Sequence, residues 1–328
     1  MRTLNVLCTG ITGLYGRYLA RAWVPGGEVR LCGTSRTVHH HIELDRLDRY
    51  EAIDFKYRER YSTLIDEFRP DVVVNLGAEG NVDNVERDPI SSYQINVEFP
   101  RFLMEEASRR DIRLIQLSSN AVYDGTEAPY SESSPMRPLS KYGEYKREID
   151  LEMRNELHRW ALLRPIVGYG WNHEFARGNP VSHYLGLLRS GNEVKSADDQ
   201  FENPVYAGDV ANAIWNAING DFCGELNVAG GDDGLSRYDW LQRVVSAFDV
   251  VDAKLTRAKM DDFAGIVPRP RDTRFDIGRL RAELRVQPLT VEQGLREMRR
   301  EESRELTSHG SRQFAGSVAH GRSGLDPI

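Results

Sequence analysis

With 328 residues, a hydrophobic fraction of 40% and a charged fraction of 28%, the chain suits one large α/β domain with an appended lobe. A formal charge of -7 argues against nucleic acid as a partner, because phosphate-binding surfaces carry a basic excess. No apolar run reaches the roughly 18 to 20 residues a membrane span needs and no basic-then-apolar leader opens the chain, so a cytoplasmic protein with no membrane partner is expected.

Short apolar runs alternate with helix-like stretches through the first half. The strands are expected at Leu4–Cys8, Val29–Gly33, Val72–Leu76, Leu114–Ser118 and Trp160–Arg164. Helices are expected at Gly13–Trp23, Tyr61–Phe68, Val97–Arg109 and Tyr142–Glu156. This alternation predicts a Rossmann-like, doubly wound parallel sheet covered on both faces, with ligands bound at the carboxyl ends of the strands. Residues 1–165 then form the dinucleotide-binding domain, with a return helix at about 204–222 that Asp209 would cap. Residues 166–203 and 223–300, with a strand at Glu225–Ala229 and helices near Arg237–Phe248 and Val291–Arg300, form a smaller substrate-binding lobe. From Glu301 to Ile328 the chain is rich in Ser, Gly, His and Arg and lacks apolar periodicity, which predicts a disordered tail. Cys8 and Cys32 fall inside apolar strands and are expected as buried free thiols.

The first strand runs into Thr9-Gly-Ile-Thr-Gly-Leu-Tyr-Gly16. Gly10 permits a tight turn, Gly13 lets backbone approach a pyrophosphate, and Gly16 allows close helix–strand packing. Thr12 and Leu14 belong to the same turn, and the helix N-terminus beyond it attracts an anion. After the second strand come Ser35 and Arg36 where a carboxylate usually holds a free ribose. A hydroxyl and a guanidinium suit a 2′-phosphate, so NADP is favoured and NAD is the alternative. Arg17 either adds to that charge or is a solvated helix residue. Asp54 and Phe55 follow a third short strand, where Asp54 either meets the adenine or is a loop carboxylate. Leu76, Gly77 and Ala78 close the fourth strand beside the nicotinamide ribose. The consecutive His39, His40 and His41 lack metal-ligand spacing and read as a solvated loop, so no metal is expected.

Tyr142 and Lys146 lie one helical turn apart and share a face. An ammonium near a phenol favours phenolate and lowers its pKa from near 10 towards the working range. Ser119, just past the strand Leu114–Ser118, is placed to hydrogen-bond the same substrate oxygen as Tyr142. Arg269 and Arg271 flank Pro270 and form either a diphosphate clamp or a charged surface turn. Asn203 and Tyr206 are candidates for the pocket wall, and Trp171 and His173 lie in a loop where sugar-stacking residues occur.

These stretches, with Asn75–Asp83 and Glu86, Ser118–Gly125, Leu163–Pro165, Asn203–Asp209, Asn227–Gly230 and Arg269–Thr273, resemble an extended short-chain dehydrogenase/reductase. Within that group the chain is similar to the dTDP-4-dehydrorhamnose reductase branch, over about residues 3 to 300. The resemblance implies reduction of a nucleotide-linked 4-ketosugar by NAD(P)H, with Tyr142 as proton donor assisted by Ser119 and Lys146. It implies substrate contacts near Asn120, and pairing of two copies through helices of the sheet domain. Asn120 replaces the family's common aspartate, and Ala121 follows it, so neither supplies the acid a 4,6-dehydratase uses. Glu79 stands where the family often has an aromatic residue. An epimerase shares the requirements of a reductase, and a regulatory subunit like that of methionine adenosyltransferase is the reading from another class.

Overall fold

The computed structural model describes residues 3–263 and 267–308. Seven strands form one parallel sheet: β1 (Leu4–Thr9), β2 (Val29–Ser35), β3 (Arg49–Ala52), β4 (Val72–Asn75), β5 (Arg113–Leu117), β6 (Trp160–Pro165) and β7 (Gly224–Val228). Their order across the sheet is β7-β6-β5-β4-β1-β2-β3. Every neighbouring pair is parallel, which requires a crossover for each connection and explains the strand–helix alternation of the sequence.

Side chains on alternate strand positions feed two cores, as the two-residue period of a strand demands. Leu7, Cys32, Val73, Leu114 and Leu162 pack on one face against the helices Arg58–Phe68 and Phe99–Arg110. Val6, Leu31, Val74, Ile115 and Leu163 pack on the other face against the helices Leu14–Ala22 and Ala207–Asn219. Each buried Leu or Val contributes about 1.5–3 kcal/mol, so both faces are firmly closed. The winding direction changes between β1 and β4, and this opens a crevice at the carboxyl ends of those strands. A third core, built around Tyr169, Val181, Leu185, Trp240, Leu241, Val291 and Leu295, forms the smaller lobe.

Three features differ from the sequence expectation. The strand assigned to the smaller lobe, β7, is the seventh member of the main sheet, pairing with β6 from Gly224–Ala161 to Val228–Pro165. Asp209 does not cap the return helix, which starts at Ala207 after Tyr206; buried Asp209 instead accepts a hydrogen bond from Leu289 N at 2.9 Å. Burial pushes its carboxyl up to about 6. The last helix runs from Val291 to Ser308, past the expected end at Arg300. Glu301 is buried there and accepts from the hydroxyls of Tyr18 and Tyr206 at 2.7 and 2.6 Å. A carboxylate that ties two buried phenols cannot belong to a solvated tail; the rest of that expectation, residues 309–328, lies outside the described residues. Among the described residues no helix is long and apolar enough to cross a membrane.

Candidate active site

At the end of β1 the chain turns through Gly10, whose φ of 70° favours glycine. A Cβ at Gly10 would lie 2.7 Å from Gly77 N and 2.9 Å from the Leu76 carbonyl carbon, so the turn meets the end of β4 backbone to backbone. The helix Leu14–Ala22 then starts with Gly13 at its N-cap and no side chain bonded to its first N–H groups. Such a terminus can hold a pyrophosphate.

A buried polar chain locks the carboxyl ends of the central strands together. Thr9 Oγ1 donates to Asn75 Oδ1 at 2.5 Å, and Asn75 Nδ2 donates to Gln116 Oε1 at 2.8 Å. Gln116 Nε2 donates to Leu117 O at 2.8 Å, and Lys146 Nζ donates to that same carbonyl at 3.4 Å. Sequence reasoning missed Asn75 and Gln116 as positioning residues. The signal was an amide set in an otherwise apolar strand, which only a partner on the next strand can satisfy.

The proton end is set by the helix Lys141–Glu156. Ser140 caps it by accepting from Gly143 N at 3.2 Å, and Lys141 N donates to Glu86 Oε1 at 2.7 Å. A Cβ on Gly143 would sit 2.1 Å from Ala121 O, so only glycine lets this helix press against the turn that follows β5. That contact sets Ser119 near Tyr142, on whose phenol it acts to lower the pKa, while Ser119 Oγ donates to Asn120 Oδ1 at 3.4 Å and accepts from Ala121 N at 3.2 Å.

Tyr142 and Lys146 are both buried, with Lys146 Nζ 5.6 Å from the centre of the phenol ring. The expected lowering of the phenol does not occur. Burial pushes Tyr142 up to about 12, and the nearby Ser119 hydroxyl only partly opposes it. Burial also pulls Lys146 down to about 8, with Asp150 acting in the opposite direction. Desolvation penalises both charged forms at once and is the largest cause of each shift. A phenol that keeps its proton at neutral pH is a proton donor, the form a reduction needs.

Beneath this pair, Asp150 accepts from Ser118 Oγ at 2.9 Å and from Arg164 Nε at 2.8 Å. Arg164 is fully buried and also pairs with Glu225, which Arg154 holds at 2.6 Å. Arg164, the last residue of the expected strand Trp160–Arg164, is made structural by these partners.

Ser119, Asn120, Tyr142, Lys146, Leu14, Leu76, Ala78 and Arg269 line one cleft of about 420 Å³, within the range of small-molecule sites. Arg177 lines it too and was not singled out from sequence, because a lone arginine in an irregular loop carries no pattern. Of the other predicted cofactor residues, Gly10, Thr12 and Gly13 form the turn after β1, and Gly16 lies in the first turn of the helix, where a Cβ would sit 2.3 Å from Ile11 O. At the ends of β2 and β3 the predicted residues divide. Arg36 is exposed and has no hydrogen bond or ion pair among the described residues, so it is available to a phosphate. Ser35 is buried, with Oγ donating to Thr37 O at 2.6 Å and meeting Tyr50 OH at 2.6 Å. Its hydroxyl serves the loop, against expectation. Asp54 accepts from Lys56 N at 3.1 Å, and the Phe55 ring packs under Gly77 and against Phe99.

Other expectations are corrected. The two arginines flanking Pro270 do not form a clamp: Arg269 lines the cleft and pairs with Asp83 at 2.7 Å, whereas Arg271 pairs with Asp199 and Asp261 on the surface. Each guanidinium is held by a different carboxylate, Asp83 for Arg269 and the Asp199–Asp261 pair for Arg271, so the two do not converge. Arg17 is neither solvated nor at the cofactor edge; buried, it donates to the carbonyls of Trp171 and Asn172 at 3.1 and 2.6 Å. Asn203 bonds both ways with the Phe275 backbone, at 3.0 and 3.1 Å, so its amide is an internal tie rather than pocket wall. Tyr206 points to Glu301, and Trp171 Nε1 donates to Met298 O at 2.7 Å, which excludes both from the cleft. The consecutive histidines are not a free solvated loop, since His39 stacks on Phe175 and His41 packs on buried His173. Asn120 Nδ2 donates to Thr273 Oγ1 at 3.1 Å, linking the two lobes across the cleft.

The sequence is 25% identical over 310 residues to dTDP-4-dehydrorhamnose reductase of Aggregatibacter actinomycetemcomitans, covering 90% of this chain and 98% of that protein. It is 28% identical over 283 residues to methionine adenosyltransferase 2 subunit beta of Xenopus tropicalis, covering 84% and 81%. The fold matches a crystal structure of dTDP-4-dehydrorhamnose reductase from Bacillus anthracis in complex with NADP, with a TM-score of 0.79 at 20% identity over 92% of this chain and all of that one. A family model, RmlD substrate binding domain, matches residues 4–304. The chain belongs to the RmlD substrate binding domain family and is an extended short-chain dehydrogenase/reductase, an NAD(P)-dependent oxidoreductase by class.

Proposed function

We propose that this chain is an NADPH-preferring reductase of a nucleotide-linked 4-keto-6-deoxysugar. The observation that carries the reading is the convergence of Ser119, Tyr142 and Lys146 in one cleft that Arg269 and Arg177 also line. A nicotinamide dinucleotide, when bound, would supply the hydride, with Leu76 and Ala78 in the cleft beside Tyr142. Tyr142, kept neutral by burial, gives its hydroxyl proton to the oxygen that becomes the new alcohol, and Ser119 hydrogen-bonds the same oxygen. The Lys146 ammonium stabilises the phenolate left behind, an interaction that strengthens as the charge develops. Arg177 and Arg269, in the lining of the same cleft, supply positive charge for a diphosphate.

Because Lys146 loses its proton as pH rises through about 8, kcat/KM is expected to fall on the alkaline side of that value with the slope of one proton. Tyr142, at about 12, contributes no second limb below that range. A profile that stays flat well past pH 8 would show that the ammonium is not needed.

The similarity to methionine adenosyltransferase 2 subunit beta supports a second reading, a dinucleotide-binding regulatory subunit without turnover. One assay separates them: a panel of nucleotide-linked 4-ketosugars with NADPH and NADH, run on the unaltered chain and on Arg36→Ala. Cofactor consumption with at least one ketosugar is expected, and Arg36→Ala should weaken NADPH about 10- to 100-fold, as for a lost charge-assisted contact, while sparing NADH. Binding of cofactor with no consumption across the panel favours the regulatory reading. An equal loss for both cofactors removes Arg36 from 2′-phosphate recognition.

A further inference from the structure

Two distant parts of the chain bring a second set of metal-ligating groups together outside the cleft. His41 precedes the short helix Ile42–Asp45, Glu43 lies within it, and His173 sits in the loop after Gly168–Tyr169. One ligand atom from each lies within 4.8 Å of the others. His173 is only 2% exposed, and neither of its ring nitrogens has a hydrogen-bond partner among the described residues. Its ring packs edge-on to His41 at 4.4 Å and stacks on Phe175 at 4.9 Å. Glu43 is buried, with Oε2 in contact with His41 Nδ1. Arg17 Nε stands 3.5 Å from the other carboxylate oxygen, Oε1.

A buried imidazole with two unpartnered nitrogens is a strong departure from the rule that buried polar atoms are bonded. Nothing in the cleft uses it, and the nearby Arg17 and Arg21 cannot accept its N–H. A cation does satisfy one of those nitrogens. Two neutral imidazoles and one carboxylate are the donor set of a three-ligand zinc site that leaves a fourth position open. His41, about a third exposed, gives solvent access on that side.

We propose that His41, Glu43 and His173 form a binding site for a Zn²⁺-class divalent transition metal. The ion fastens the loop around His173 to the segment after β2, the same segment that begins with Arg36. Glu43 offsets part of the ion's charge, while Arg17 engages its other oxygen and opposes binding by repulsion. The site is independent of the ketosugar reading and stands or falls separately.

The test uses the full chain, stripped with a chelator and titrated with Co²⁺ by absorption spectroscopy and with Zn²⁺ by calorimetry. The expected result is roughly one ion per chain with the intense d–d bands of tetrahedral Co²⁺. Variants His173→Gln and Glu43→Gln should each weaken binding by about tenfold or more, as ligand losses do. His158→Gln, at an exposed position away from the cluster, should leave it unchanged. Should His173→Gln fail to fold, His41→Gln at the partly exposed edge gives the same readout. Weak octahedral bands, or equal affinity in the unaltered chain and in the ligand variants, overturn the proposal.

Discussion

Tyr142→Phe is expected to lower kcat by about 10²- to 10⁴-fold while cofactor affinity stays close to that of the unaltered chain. The substitution removes one hydroxyl from a buried ring and leaves the ring's packing against Lys146 in place. It removes the proton that neutralises the developing alcohol oxygen, and Ser119 alone has no matched acid to replace it. The loss belongs in kcat rather than in binding, because the interaction is strongest in the transition state. Single-turnover kinetics with NADPH, alongside a fluorescence titration of cofactor, would read both quantities. Full turnover in Tyr142→Phe would eliminate the proton-donor role. A large drop in cofactor affinity would show that the hydroxyl serves binding instead.

Arg164→Met should destabilise the protein by about 3–5 kcal/mol, the largest loss expected from a single change outside the cleft. The guanidinium is fully buried and bridges Asp150 and Glu225 between the helix Lys141–Glu156 and β7. Without it Asp150 keeps only the Ser118 hydroxyl, whereas Glu225 keeps Arg154. An unpaired buried carboxylate then either charges at high cost or takes up a proton. Adding Asp150→Asn should recover part of the loss, since it removes the orphaned charge. Denaturant titration of the single and double variants measures this, and a single-variant loss below about 1 kcal/mol would contradict the account. The same change reaches the site: a neutral Asp150 no longer supports the Lys146 ammonium, so Lys146 should titrate further below 8.

Much of the fold was legible because each strand advertises itself. A parallel sheet covered on both faces needs apolar side chains on both, and the runs at Leu4, Val29, Val72, Leu114 and Trp160 have them. β7 was harder to place. Its residues read as a strand, but nothing local says whether a strand joins the main sheet or a second one. The tail was misread for a related reason: the apolar stripe stops near Met298, and Glu301 is buried only because Tyr18 and Tyr206 come from elsewhere to meet it. At the site, Gly10, Gly13, Gly16, Tyr142 and Lys146 stood out through spacing along one element. Arg177, Asn75 and Gln116 did not, because their partners lie on other elements.

The amino-acid order by itself determined the glycine turn after β1, the shared face of Tyr142 and Lys146, and the Ser119 that follows β5, since each depends on neighbours a few positions away. Only the tertiary structure decided that Arg269 enters the cleft while Arg271 leaves it, and that Tyr142 rises to about 12 instead of falling. It also decided that His41 and His173 meet. Side-chain direction past a turn and exclusion of water both depend on packing between distant segments, so the charge state of a buried group belongs to the whole fold.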